Sequence, residues 1–295
     1  MFEIFGIPST ALFGQLLIGL INGSFYALLS LGLAVIFGML NVINFAHCAQ
    51  YMMGAFAAFL LLNLTGLGYW GALIVAPILV GIFGIIVERC LLQWLYKLDH
   101  LYGLLLTFGL VLIIEGVARN FYGSAGLPYT MPESLQGGQN LGFMFLPNYR
   151  AWVIVASLTV CLATWFVIER TRLGAYLRAA TENPTLVRAF GINVPLMITL
   201  TYGFGVALAA FAGVMAAPIY NVSPQMGSSL IIVVFAVVVI GGMGSIMGAI
   251  VTGFGLGIVE GLTKVFFPEA SNTVIFVIMA IVLLVRPAGL FGRRA

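Results

Sequence analysis

Apolar runs dominate this chain, and the polar positions that interrupt them are few enough to place one by one. Apolar segments run approximately 11–30, 31–43, 49–62, 70–92, 101–118, 151–168, 195–216, 227–240, 246–262 and 273–286. Several approach the roughly 20 apolar residues needed to cross a bilayer core. Segments 31–43 and 49–62 are short for a span, and between them lies a polar string of Asn41, Asn44, His47 and Gln50. The pair reads as a broken or paired half-helix element, because irregular backbone at membrane depth survives only where protein or a water-filled cavity covers it. Four such polar groups are costly against lipid. They therefore either line a cavity or hydrogen-bond from helix to helix. Segment 227–240 is similarly short and runs into Gly241-Gly-Met-Gly244-Ser245. That is a second expected break, with Gly241 and Gly242 permitting it and the segment lining the same path.

The scarce charges orient the segments. Of the 295 residues only 7% are charged, where about a quarter is usual for a soluble domain. Six of these charges fall in one island, Glu169 to Arg188, whose four Arg and two Glu give it a net charge of +2. Excess Arg places the island in the cytoplasm, together with Arg89 and Lys97 in the 88–100 connection and Arg286, Arg293 and Arg294. The long Gly- and Pro-containing connector between Arg119 and Arg150 then faces the other side. The parity gives an all-α polytopic membrane protein with about eight crossings, an external N-terminus and broken or re-entrant half-helices. The island reads either as a docking loop for a soluble partner or as a solvated connector that fixes topology.

Composition narrows the chemistry further. Mean hydropathy is +1.15. Met1 to Thr10 carries Glu3 but no Lys or Arg, so it lacks the basic start of a secretory signal and no cleavage is expected. Cys48, Cys90 and Cys161 are odd in number, dispersed and set in apolar sequence, which points to packing rather than disulfides or metal ligation. His47 beside Cys48 reads as a packed polar residue rather than a zinc site. No GxxxxGK[ST], HExxH or GxSxG occurs, so neither nucleotide binding by a phosphate loop nor familiar hydrolytic chemistry is expected. No cofactor or metal is expected, and no basic patch with exposed aromatics points to nucleic acid. Glu115 with Arg119 and Glu260 with Lys264 are spaced as i, i+4 ion pairs near span ends, which favours a structural role. Gly19 and Gly23, Gly244 and Gly248, and Gly253, Gly257 and Gly261 recur at intervals of four. Such faces let helices approach closely, either inside a bundle or across a dimer seam.

The order of motifs resembles a known family. Asn22-Gly-Ser-Phe-Tyr-Ala-Leu-Leu-Ser-Leu-Gly-Leu33 and Phe37-Gly-Met-Leu-Asn-Val-Ile-Asn-Phe-Ala-His47 resemble the first third of permeases from branched-chain amino-acid ABC importers. Thr171-Arg-Leu-Gly-Ala-Tyr-Leu-Arg-Ala-Ala-Thr-Glu-Asn-Pro184 with Gly191-Ile-Asn193 is similar to that family's cytoplasmic coupling loop. Gly241-Gly-Met-Gly-Ser-Ile-Met-Gly248 and Arg286-Pro-Ala-Gly-Leu-Phe-Gly292 resemble its late signatures. The family usually continues Asn-Phe-Ala-His with Gly and an acid, where this chain has Cys48 and Ala49. The change removes a charge near the polar string and stiffens a position where the backbone could bend.

The resemblance implies a single transmembrane permease domain over 1–295, of ABC importer type, with a coupling loop at 169–194. It implies a second permease subunit, homologous or identical, two cytoplasmic ATPase subunits and a periplasmic or extracellular solute-binding protein. The protein would sit, surrounded by lipid, in the bacterial inner (plasma) membrane. Expected cargo is a branched-chain or other apolar amino acid, or else urea or a short amide. Asn41, Asn44, His47, Gln50, Gly241 and Gly242 form the expected path. Arg172, Arg178, Glu182 and Arg188 would contact the ATPase, with Gly174 and Asn183-Pro184 as breaks in a two-helix lever. An ion-coupled secondary transporter would need membrane-embedded acids such as Glu115 or Glu260. A passive channel would conduct with every ATPase removed, and a non-transporting scaffold would leave the polar string without purpose. In a Thr181→Cys variant, a membrane-impermeant thiol reagent should label the protein only after the membrane is opened. Labelling of intact cells would reverse the topology.

Overall fold

The computed structural model describes residues 3–4, 7–40, 44–96, 98–142 and 144–292. Eleven α-helices lie within those residues: α1 Ser9–Leu40, α2 Ala46–Thr65, α3 Tyr69–Cys90, α4 His100–Tyr122, α5 Asn148–Arg170, α6 Arg172–Glu182, α7 Pro184–Ala189, α8 Val194–Tyr220, α9 Ile231–Gly241, α10 Ile246–Phe266 and α11 Val274–Val285. Seven of them (α1 to α5, α8 and α10) are long and apolar enough to cross a membrane, and α9 and α11 are shorter apolar helices. This is the all-α polytopic architecture read from the sequence, and it is consistent with about eight crossings. A two-residue hairpin of β1 (Glu3–Ile4) and β2 (Ile7–Pro8) precedes α1. A second hairpin, β3 (Gly138–Asn140) with β4 (Phe145–Pro147), lies in the long connector after α4.

The first two apolar segments differ from their expected form. Residues 9–40 make one unbroken helix of 32 residues, about 48 Å long against a bilayer core of about 30 Å. Segment 31–43 is therefore the end of α1 and not a separate half-helix. Nothing between Gly23 and Leu40 is a helix breaker strong enough to interrupt it. Asn41 lies outside the described residues. The break falls instead between α1 and α2.

Local signals close the other elements. Gly66 caps α2 at φ 70°, with its N–H on the Leu62 carbonyl and the Leu67 N–H on Leu61, the pattern that lets the chain turn straight into α3. Asp99 caps α4 through a 2.9 Å bond from the Leu101 N–H, and Ser245 caps α10 through a 3.1 Å bond from the Gly248 N–H.

α1 is buried along most of its length and packs most extensively against α10. Their seam is the small-residue face. A Cβ on Gly257 would fall on the Gly19 carbonyl and the Gly23 backbone, one on Gly253 would meet Ala27, and one on Gly261 would meet the Gln15 carbonyl. The glycine series is thus spent inside the chain and is not a seam between copies. α8 fits against α2 and α3 in the same manner, with Gly213 on the Tyr51 carbonyl and Gly54 on the Ala210 backbone. Because hydrophobic burial drives little helix association in lipid, this close backbone approach and the contacts it permits hold the bundle. α4 lies at the edge, with Leu105, Leu112 and Ile113 exposed on a surface suited to lipid.

Gly257→Ala should lower the melting temperature of the detergent-solubilised protein by an amount equivalent to about 1–3 kcal/mol of overpacking. Gly255→Ala meets open space and should leave the midpoint unchanged or slightly raised. Equal midpoints for the two variants would remove the seam argument.

Candidate functional site

The start of α2 is built from the polar string. Asn44 Oδ1 accepts the Ala46 N–H at 3.0 Å, and the Phe45 N–H donates to Thr107 Oγ1 of α4 at 3.2 Å. The Asn44 amide donates to the Tyr202 hydroxyl of α8 at 3.0 Å, and the Gln50 amide donates to the same oxygen at 3.2 Å. His47 Nε2 sits 3.0 Å from the Leu29 carbonyl of α1. A carbonyl can only accept, so Nε2 carries the proton and Nδ1 is left as an acceptor. That Nδ1 and Gln50 Oε1 are buried without a hydrogen-bond partner among the described residues. Asn44, His47 and Gln50 are each at most 2% exposed.

Two cavities flank this cluster. One, of about 430 Å³, is bordered by Val35 and Gly38 of α1, Arg178 and Thr181 of α6, Thr201 of α8 and Ser245. The other, of about 380 Å³, is bordered by Asn22, Phe25 and Tyr26 of α1, Tyr51 of α2 and Tyr220 of α8. Along α1, the cavities border residues up to 26 and from 34 onward, a separation of about 12 Å at the helical rise. The His47 ring lies between those levels, bonded at Leu29 and packed on Gly32. Asn44, His47, Gln50 and Tyr202 border neither cavity and form a hydrogen-bonded plug between them. The first cavity lies at the Arg-rich end of the bundle, which the positive-inside rule makes cytoplasmic.

Gly241 and Gly242 shape the second break without bordering either cavity. Gly242 has φ 102°, a conformation that favours glycine. The C-terminal stretch folds back on this turn, with the Leu290 N–H on the Ile240 carbonyl at 2.8 Å and the Phe291 N–H on Gly241 at 3.1 Å. Met243 to Ile246, just beyond, are the residues that reach the first cavity. Cys48 and Ala49 lie in regular helix at 1% exposure, with the Cys48 carbonyl against Gly227. No bend is needed at Cys48, and an acid at Ala49 would be deeply buried on a helix that carries no Lys or Arg.

The charged island, Glu169 to Arg188, spans the end of α5 and two further helices, α6 and α7. Thr171, extended at φ −111° and ψ 166°, separates α5 from α6. Gly174 is no break: it lies inside α6, buried where any Cβ would overlap the Ile168 carbonyl. Asn183-Pro184 is the break, with Asn183 extended and its side chain capping Leu186 at 2.9 Å. Arg178 turns inward, donating to the Ile168 carbonyl at 2.8 Å and pairing with Glu169 at 3.4 Å. Arg172, Glu182 and Arg188 are exposed. Beside them stand Leu173, Tyr176, Leu186 and Phe190, all exposed. These apolar members escaped a reading based on charge.

Two buried carboxylates also emerge. Glu88, 2% exposed, accepts from Tyr96 and Thr199, each at 2.7 Å, and so ties the end of α3 to the start of α8. Burial, with Glu88 beside it, pushes the Tyr96 hydroxyl well above the ordinary tyrosine range, so it remains a donor. Glu260 accepts from Asn22 at 3.2 Å and Tyr26 at 2.8 Å and pairs with Lys264 as its spacing implied. The matching pair does not form: Glu115 makes no ion pair with Arg119, and its Oε1 is buried without a partner.

Seven helices long and apolar enough to cross a membrane, with a cavity toward each end of the bundle, make an architecture suited to a membrane transport subunit. The chain belongs to the family described as branched-chain amino acid transport system / permease component, whose model matches residues 15–283. It is similar to the high-affinity branched-chain amino acid transport system permease protein LivH of Escherichia coli (strain K12), at 29% identity over 95% of each chain. It is similar to BraD of Pseudomonas aeruginosa, a permease protein of the same description, at 32% identity over 95% of each. It is also similar to E. coli LivM, at 27% identity over 90% of this chain and 67% of that one.

Tyr202→Phe removes the shared acceptor of Asn44 and Gln50, and should cost about 1–3 kcal/mol by leaving buried amides unpaired. A melting temperature equal to that of the unaltered protein would show that the plug is not held in this way.

Proposed function

We propose that this protein is the membrane-spanning subunit of an ATP-driven importer in the bacterial inner (plasma) membrane, carrying branched-chain or other apolar amino acids inward. It pairs with a second permease subunit, homologous or identical. Two cytoplasmic ATPases dock on α6 and α7, and a periplasmic or extracellular solute-binding protein delivers cargo to the opposite end. The observation that carries this reading is the double exposure of α6. One side of the helix, through Arg178 and Thr181, borders the cytoplasmic cavity, while Leu173 and Tyr176 stand on the protein surface. A partner that moves this helix changes the walls of the cavity directly.

The contact chemistry suits a protein groove. Exposed apolar and aromatic anchors in a charged surround are the usual centre of an interface. Arg178 contributes differently from the expectation of direct contact, by bracing α6 to the end of α5 so that the two move together. Transport then alternates between the two cavities, and each cycle must open the Asn44–Tyr202–Gln50 plug. Its hydrogen bonds are few, so the movement of the ATPases can disrupt and remake them.

Leu186→Asp should weaken association with the ATPase on the order of ten-fold or more, as loss of an interface anchor does. Arg178→Ala should leave association largely intact while reducing uptake per ATP hydrolysed. Co-purification and coupled uptake assays in proteoliposomes read both effects. Uptake of L-leucine should require ATP and survive an uncoupler. Uptake that follows an ion gradient without ATP would overturn the importer reading.

A further inference from the structure

The cavity at the non-cytoplasmic end has a lining more specific than a passage requires. Its volume of about 380 Å³ falls within the roughly 300–1,000 Å³ of small-molecule sites. Phe25 and Tyr51 give it an aromatic wall, and Asn22, Tyr26, Tyr220 and Gln225 give it polar neutral groups. Among the described residues, no ionised side chain borders it.

Three details define what it can hold. Tyr51 is 1% exposed and borders the cavity, yet its hydroxyl has no hydrogen-bond partner among the described residues. That oxygen is not sealed off: it keeps contact with the cavity, where water or a ligand can complete it. Second, the orientation of Asn22 is set chemically. Glu260 can only accept, so the nitrogen of the Asn22 amide faces Glu260 and its oxygen faces the cavity rim, where the Tyr220 hydroxyl reaches it at 2.7 Å. Third, the Glu260 charge is already met by Lys264, Tyr26 and Asn22. The cavity therefore offers a donor at Tyr51, an acceptor at Asn22 and no net charge. A free cation or anion would enter without a counter-charge. A zwitterion brings its own, and an apolar side chain can lie on the aromatic wall.

We propose that this cavity is the site at which the permease first holds its cargo after release from the binding protein, and that it takes one zwitterionic amino acid with an apolar side chain. The Tyr51 hydroxyl meets the carboxylate, and the Asn22 oxygen meets the ammonium. The Tyr220–Asn22 bond opens to admit the ligand. This assignment rests on the importer reading above and adds a location and a set of contacts to it.

The test uses the permease assembled with its ATPases and binding protein in proteoliposomes, with L-leucine as the probe. Gln225→Cys is made in a Cys90→Ser background, since Cys90 is the exposed native cysteine while Cys48 and Cys161 are buried. A membrane-impermeant thiol reagent applied from the binding-protein side should modify the new cysteine, and saturating L-leucine with binding protein should slow that modification several-fold. Tyr51→Phe keeps the ring and should reduce L-leucine uptake about five-fold, what loss of one hydrogen bond is worth. If the unaltered assembly transports L-leucine but its presence leaves the modification rate unchanged, or Tyr51→Phe transports at the unaltered rate, the site is wrong and the importer reading stands. If the unaltered assembly transports no amino acid at all, the cargo reading fails, and this site with it.

Discussion

A helix that begins inside a membrane bundle has N–H groups that neither water nor lipid will satisfy, so protein must supply every acceptor. The start of α2 is such a place, and much of the molecule is arranged around it. Asn44 caps the first turn with its own side chain, and Thr107 of α4 receives the Phe45 N–H. Tyr202 of α8 then takes the donors of both Asn44 and Gln50. These partners come from different helices, so satisfying one helix end also fixes α4 and α8 at a common depth. His47 does the same for α1 by reaching the Leu29 carbonyl. The polar plug that divides the two cavities is thus the cost of starting a helix where this one starts.

Glycine makes the arrangement close enough to work. α10 lies on α1 through the Gly253, Gly257 and Gly261 face, and α8 approaches α2 at Gly54 and Gly213. Ordinary side chains at those points would hold the helices apart and move Tyr202 out of reach of the α2 start. The segment leading to the second break is packed on the first, since Gly227 rests on the Cys48 carbonyl and Phe235 of α9 stacks on Phe45 at 6.4 Å between ring centroids, and a Cβ on Gly244 in the second break would meet Gly38 of α1.

Charge is used sparingly inside the bundle, and two of its carboxylates are compensated. Glu260 is surrounded by donors and its lysine, and Glu88 by two hydroxyls. Both networks join helices distant in sequence: α1 with α10, and α3 with α8. Arg172, Glu182 and Arg188 stand exposed on α6 and α7, where water can meet them. The bond from Arg178 to the Ile168 carbonyl links that surface to α5 and to the cavity that Arg178 borders.

The sequence by itself determined the class of molecule, because apolar length and the scarcity of charge leave no other fold open to most of these segments. It also determined the Asn183-Pro184 break and the Gly242 turn, since each follows from local rules of proline or glycine geometry. Family membership was legible in the order of four motifs. Local rules could not decide whether residues 31–40 belong to α1, since no breaker separates them from the preceding helix and only their packing tells. Nor could they show that Gly174 is a contact rather than a hinge, that Glu115 and Arg119 stay apart, or that Arg178 turns inward. The plug was visible only as four polar letters, open to two readings. Its partners Tyr202, Thr107 and Leu29, the Tyr51 cavity and the Glu88 bridge all join residues far apart in the chain. Tertiary structure alone decided them, because a hydrogen bond's meaning depends on which acceptor comes within reach, and the fold sets that distance.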